Sequence, residues 1–555
     1  MTSLKQFLAC TLLAATIGAV PAMAQAKTDL VIGITQYPST FHPNIDSMLA
    51  KSYVHGLSRR PLTTMNADWE IVCVLCETLP TLENDGAELE KTPDGKDGIA
   101  VTYKLKDEAV WGDGTPITVD DIIFTWEVGK HPKSGVASTE GYRRILSIDR
   151  IDDKTFTLHV DRRTFDYNNM STLNILPAHI DRKKFTDPVQ YKTQTAFDTD
   201  PMNPGLYMGP YIMTQAKTGS HMVFERNPKW WGNKPAFDRI TVRVIENTTT
   251  LEANLLSGGI DMISGELGLN VDQALAFEKR HGGKYNILFK PGLIYEHIDL
   301  MLDNPVLQDR RVRQALMYAI DRDAISNRLF GGKQPVAHTG VNPLDWVYDE
   351  DVRKYAFDPA KADALLNEAG WTKKANGMRA NAAGEPLRFQ LMTTAGNRTR
   401  ELVQQVLQSQ WKAAGIDIDI RNEPARVFFG ETMTKRKFPA MAMFAWISAP
   451  ESVPRTTLHS EEIPTEANNW SGQNYTGFAN AEMDELLEKI ELELDQDKRK
   501  AMWSKLQEIY ATELPALPLY FRANSFILPK WLKGVAPTGH QFPTTLWVED
   551  WRIAK

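Results

Sequence analysis

The chain has 555 residues, with 63 Lys plus Arg against 70 Asp plus Glu and a formal charge of -7. Acids and bases are interleaved, so there is no basic stripe for nucleic acid and no polybasic patch for a membrane surface. At 42% hydrophobic and 24% charged the composition is that of packed cores rather than disorder, and the length calls for two or three domains instead of one.

The first residues concern the compartment. One lysine, Lys5, precedes an uncharged run from Phe7 to Val20, and Ala22, Met23 and Ala24 follow it. These are the three parts of a secretory signal, too short to span a bilayer, with cleavage expected after Ala24 and a mature chain starting near Gln25. Cys10 should leave with that leader, and no later segment stays apolar long enough to cross a membrane. A soluble, periplasmic, monomeric protein is expected. Cys73 and Cys76 then remain, in CVLC. A local disulfide, reduced thiols and a redox pair all stay open, with the oxidising compartment favouring the first. On a regular strand the two side chains would face opposite ways and could not bond.

TDLVIGIT alternates as a first strand, and the Pro-bounded loop QYPSTFHP, with Tyr37 and His42, ends it. Thr118 and Asp121 form a capping-box variant ahead of an apolar face of Val119, Ile122, Ile123 and Trp126. ITVRVI is a strand; Val312, Ala315, Leu316, Ala319 and Ile320 fall at helical spacing. Asp358 with Pro359 opens a helix that Gly370 closes, FQLMTTA and IDIDI are strands, and Asn480 caps a helix whose face is Met483, Leu486, Leu487 and Ile490. Stretches near 80–98, 186–210 and 332–346, rich in Pro, Gly and Asn, are loops or boundaries. Helices and strands alternate, so the fold is mixed α/β, without a repeat period.

Several short motifs recur in one order over most of the chain: WGDGTPITVDDIIFTW from Trp111, LYMGPY from Leu206, ERNPKWWG from Glu225, LLSGGIDM, DRRVRQALMYAIDRDAI from Asp309, PAKADALLNEAGW and the closing ELPALPLY. Together they resemble the family 5 extracellular solute-binding proteins, which include periplasmic dipeptide-, oligopeptide- and nickel-binding proteins. The resemblance implies a two-lobed Venus-flytrap fold of type II, cluster C. Lobe I would comprise 27–64, 191–295 and 520–555, an extra inserted domain 65–190, and lobe II 296–519. It also implies capture of a peptide or peptide-like solute between the lobes and delivery to the permease and ATPase of an ABC importer.

Peptide-binding members anchor the free α-amine on an aspartate shortly after a Gly-Trp pair. The corresponding run here is MFAWISAPES: Trp446 is in place, but Ser448, Ala449 and Pro450 stand where acids are expected, and Glu451 is the nearby carboxylate. Either Glu451 replaces the anchor or the ligand is an opine, oligosaccharide or metal chelate. Asn469, Trp470 and Tyr475, in a run dense in amides and aromatics, suit a polar ligand. Tyr37 and His42 are the first-lobe candidates, and Arg398 could meet a ligand carboxylate. GxSxG, HExxH, Walker A and GxGxxG patterns are missing, so an exported hydrolase is the weaker alternative. Neither a cofactor nor a resident metal is expected.

Overall fold

The computed structural model describes residues 28–554 apart from 46–47, 138, 172, 425–426 and 469–471. The leader with its cleavage point, and the candidates Asn469 and Trp470, lie outside the described residues. Among the described residues no helix is long and apolar enough to cross a membrane.

In chain order the strands are β1 (Asp29–Ile34), β2 (Thr63–Met65), β3 (Ile71–Cys73), β4 (Ala87–Lys91), β5 (Asp97–Lys104), β6 (Ile145–Arg150), β7 (Thr155–Val160), β8 (Tyr211–Lys217) and β9 (His221–Arg226). Then come β10 (Arg239–Val244), β11 (Met262–Ile263), β12 (Tyr285–Leu300), β13 (Thr372–Lys373), β14 (Arg379–Ala380), β15 (Arg388–Met392), β16 (Asp417–Ile420), β17 (Met441–Ile447) and β18 (Ala516–Pro529). Ten of them form one mixed sheet in the order β16-β15-β17-β12-β18-β11-β1-β10-β9-β8.

Two long strands hold that sheet together. β12, of 16 residues, and β18, of 14, pair antiparallel from Tyr285 opposite Pro529 to Asp299 opposite Ala516. The ladder slips between Pro291 and Ile294. Pro291 has no N–H to give it, and Gly292 lies so close to a second backbone that a Cβ there would stand 2.3 Å from the Gly539 carbonyl oxygen. The Leu293 N–H is satisfied instead by that carbonyl, at 2.7 Å.

Three main cores surround this frame. Leu30, Ile32 and Val242 of the sheet pack with Tyr53 and Leu57 of helix Leu49–Ser58. On the other side of the slip, Leu300, Leu391 and Met441 pack with Val312, Leu316, Leu407 and Trp411 of helices Arg310–Tyr318 and Arg398–Ala413. The third core lies on the four-stranded sheet β4-β5-β7-β6, where Tyr103, Phe156 and Leu158 meet Trp111 and Ile122. Truncating such a side chain to Ala costs about 2–5 kcal/mol.

The helix signals are borne out atom by atom. The Thr118 N–H donates to Asp121 at 3.0 Å, Asp358 accepts from the Lys361 N–H at 3.0 Å, and Asn480 accepts from the Met483 N–H at 3.0 Å. Gly370, with φ +87, follows the helix that Pro359 opens. The 80–98 stretch departs from the expected loop: it contains β4, AELEK, a charged strand at a sheet edge, where charge discourages further pairing. Cys73 and Cys76 are disulfide-bonded, with Cα atoms 5.3 Å apart. Only Cys73 belongs to a regular strand, so the opposite-face objection does not arise.

Candidate functional site

Strand direction locates the site. β1, β10 and β11 run parallel, β11 is antiparallel to β18, and β18 is antiparallel to β12, so all three point along β12 toward its slip. Beyond the slip β17 runs back from opposite Leu300 to opposite Ile294, with β15 and β16 parallel to it. The carboxyl ends of both sets of strands therefore face the slip from opposite sides. Ligands of open α/β sheets gather at such ends. The segments concerned are 35–45 after β1, 393–397 after β15 and 448–454 after β17.

Trp446, near the end of β17, is half-buried and faces Tyr475 with ring centroids 5.9 Å apart and planes at 31°; Phe444 packs edge-on against it at 5.2 Å. Two sequence candidates thus form one aromatic platform. Ser448 follows, its N–H donating to the Leu293 carbonyl at the slip, at 3.3 Å. Trp446 and Ser448 border a cavity of about 190 Å³ whose wall includes Tyr295, His297 and Asp299 of β12.

The other candidates occupy different surroundings. Glu451, with φ +52, is ion-paired with Arg499 and accepts from the Trp346 indole N–H at 3.0 Å. Burial raises its carboxyl pKa while Arg499 pulls it back. An acid already neutralised by a guanidinium is poorly placed to anchor an incoming amine.

His42 is completely buried. Its Nδ1 accepts the N–H groups of Asn44 and Ile45, each at 3.2 Å, so the neutral ring carries its proton on Nε2, 3.2 Å from the Tyr191 hydroxyl. Tyr191 donates in turn to Asp181. Burial, reinforced by Lys51 and Arg59, lowers the His42 pKa well below the usual value. The ring holds the 42–45 turn from inside. Tyr37 is half-buried at edge-on distance from Phe41, 6.0 Å, with burial raising its pKa. Arg398 is exposed at the first turn of its helix.

Two features escaped the sequence reading. Glu296, fully buried on β12, receives Arg400 at 2.6 Å and stands 3.6 Å from Arg522 of β18, two cations for one carboxylate beside the slip. Those cations, and Arg400 first, hold its pKa below the usual range against the opposing effect of burial. One turn of the same helix bridges the halves: the Thr399 hydroxyl donates to Asp272 at 3.0 Å. The second feature is a cavity of about 530 Å³ between the 43–61 segment, the 137–175 segment and residues 541–546, bordered by the cations Lys51, Arg59, Arg60 and Arg144.

Among the described residues no group of three or more His, Cys, Asp or Glu side chains is arranged to hold a metal ion.

Known proteins share this plan. The model for bacterial extracellular solute-binding proteins, family 5 Middle, matches residues 87–463. The oligopeptide-binding protein AppA of Bacillus subtilis is 26% identical over 541 residues, which cover 96% of this chain and 92% of that protein. The nickel-binding periplasmic protein of Escherichia coli is 24% identical over 487 residues, covering 87% of this chain and 86% of the other. The solved structure of an oligopeptide binding protein from Thermus thermophilus, complexed with a pentapeptide, has a TM-score of 0.77 at 30% identity, over 95% of this chain and 96% of that one. The fold is the two-lobed α/β fold of these binding proteins, and the family model spans more than half of the sequence: the chain belongs to the bacterial extracellular solute-binding proteins, family 5.

Proposed function

We propose that this protein captures a peptide or peptide-like solute between two lobes outside the inner membrane and hands it to the permease of an ABC importer, without chemically altering it. The observation that carries the reading is the β12/β18 ladder, which runs through both halves of the sheet and slips at Pro291–Ile294, where the strand ends of the two halves face each other, and again between Glu296 and His297. A hinge there lets the halves close over a ligand, so that binding energy becomes a shift between open and closed populations. Lobe I is then 27–64, 191–295 and 520–555, the inserted domain 65–190 and lobe II 296–519. The names of the oligopeptide-binding relatives support the solute class.

In this reading Trp446, Tyr475 and Ser448 meet the solute from lobe II, Tyr37 faces it from lobe I, and Arg398 receives a carboxylate. Glu451 and His42 act as scaffolding. Backbone pairing along an extended peptide would leave affinity largely independent of side chains. The test is mass spectrometry of small molecules co-purifying with protein expressed in a periplasm, followed by adding back whatever is found. The expected result is an intact peptide that raises the melting temperature and compacts the particle in solution scattering; a ligand at 100 times its Kd adds about 2.7 kcal/mol. A cleaved peptide would establish an enzyme instead, and tight binding without compaction would exclude closure.

A further inference from the structure

The pocket behind Trp446 has a polar floor that the fold uses only in part. Tyr295, His297 and Asp299 share one face of β12, at the period of two that a strand imposes. Asp299 is 5% exposed and His297 1%. Among the described residues no lysine or arginine lies within ion-pair distance of Asp299; its near neighbour is His297, with Nε2 at 3.2 Å. The His297 Nδ1 stands 3.1 Å from the Tyr295 carbonyl oxygen, which can only accept, so in the neutral ring Nδ1 carries the proton and Nε2 is a lone pair. That Nε2 has no hydrogen-bond partner among the described residues. The Tyr295 and Tyr510 hydroxyls satisfy each other at 2.9 Å. What remains is a carboxylate and an imidazole lone pair, two acceptors side by side in a buried space.

Such a space favours a cation with several donors. A buried carboxylate without a counter-ion is costly, and an ammonium or guanidinium group supplies both the charge and the hydrogen bonds. Size narrows the occupant further. At about 190 Å³ the cavity falls below the roughly 300–1,000 Å³ of a pocket that takes a whole small molecule, so it suits one side group of a larger solute. Its border at Trp446 and Ser448 joins it to the surface proposed above to meet the solute.

We infer that this pocket receives the amino group or basic side chain of the bound solute, with Asp299 as counter-ion and His297 Nε2 as second acceptor. The inference rests on the proposed placing of the solute against Trp446. It assigns to β12 the amine recognition that the run after Trp446 lacks.

The test has two arms on the mature protein. In the first, matched N-acetylated pentapeptides of alanine carrying one lysine or one norleucine at each position in turn are titrated calorimetrically into wild-type and Asp299→Asn protein. Wild type is expected to prefer the best lysine peptide at least tenfold over its norleucine twin, and Asp299→Asn to reduce that ratio to within twofold. In the second, crystals of both proteins are soaked in n-butylammonium or n-butanol. An ammonium nitrogen within hydrogen-bond reach of Asp299, lost in Asp299→Asn, supports the inference even if no peptide binds, in which case the peptide reading alone fails. Peptides that bind without lysine preference, or a pocket that stays empty or admits butanol equally, overturn the pocket and leave the peptide reading standing.

Discussion

The two cavities carry opposite charge and treat it differently. In the larger one the cations are held by the chain itself: Arg59 donates to the Leu206 and Ile175 carbonyls, Arg60 pairs with Glu549 and donates to Gly56 at 2.7 Å, and Lys51 donates to the His42 carbonyl at 3.0 Å. In the smaller one Asp299 has His297 for company and no fixed cation in ion-pair range among the described residues. Volume alone would rank the larger cavity first. Satisfaction of charge ranks the smaller, because a charge already paired internally stabilises architecture and one left open is available to a ligand.

The largest expected effect tests the first half of that contrast. Arg60 is buried and Glu549 half-buried, so Arg60→Ala strands a carboxylate that is largely withdrawn from water and should cost about 3 kcal/mol in denaturant unfolding. The melting shift produced by ligand should be unchanged. A variant that folds normally but no longer binds would reverse the ranking and make the basic cavity an anion site. Next in size, Trp446→Ala should weaken solute binding by tenfold to a hundredfold, about 1.4–2.7 kcal/mol, as loss of a central aromatic contact does. Affinity unchanged in calorimetry would move the solute away from the Trp446–Tyr475 platform.

The frame of this molecule was legible because its signals are local. A cap such as Asp358 with Pro359, or the face of Val312, Leu316 and Ile320, needs only neighbours within one or two turns, and the structure uses each as expected. Site chemistry was less legible because its partners are distant in sequence. Glu451 looks like a free acid until Arg499 reaches it, and His42 looks like a loop residue until the Tyr191 hydroxyl is found at its Nε2. On the helix after β15, Arg398 drew attention while Arg400, two positions on and therefore on another face, is the arginine that enters the core to meet Glu296. That the His and Asp of HIDL open into a pocket depends on Trp446, Gln473 and Trp503, which only the fold assembles.

Protonation gives a finer version of the contrast. His42, His55 and His540 cluster around the basic cavity or its adjoining segments, and burial lowers the pKa of each, to about 4 for His540. Their folded values lie below the unfolded value, so the unfolded chain takes up protons first as pH falls. Stability is complete above about pH 6.5 and is lost progressively toward pH 4, by up to about 1.4 kcal/mol per pH unit for each histidine. His42→Asn keeps an acceptor for the Asn44 and Ile45 N–H groups and removes the titration. Unfolding curves between pH 4 and 7 should therefore flatten by one histidine's share; a slope equal to wild type would assign the acid sensitivity elsewhere.

The smallest effect on solute binding is expected at Glu451, the residue sequence reasoning favoured for amine recognition. Glu451→Gln keeps an acceptor for the Trp346 indole but removes the charge opposite Arg499, so it should cost about 1–3 kcal/mol of stability, the loss of a charged hydrogen bond. Its effect on the ratio of affinities for free and N-acetylated peptides should be under twofold, because the carboxylate is engaged before any ligand arrives. A large, selective loss for free amines would mean that Arg499 releases Glu451 on binding. Amine recognition would then return to the segment after Trp446, and the pocket on β12 would lose its reason for staying unpaired.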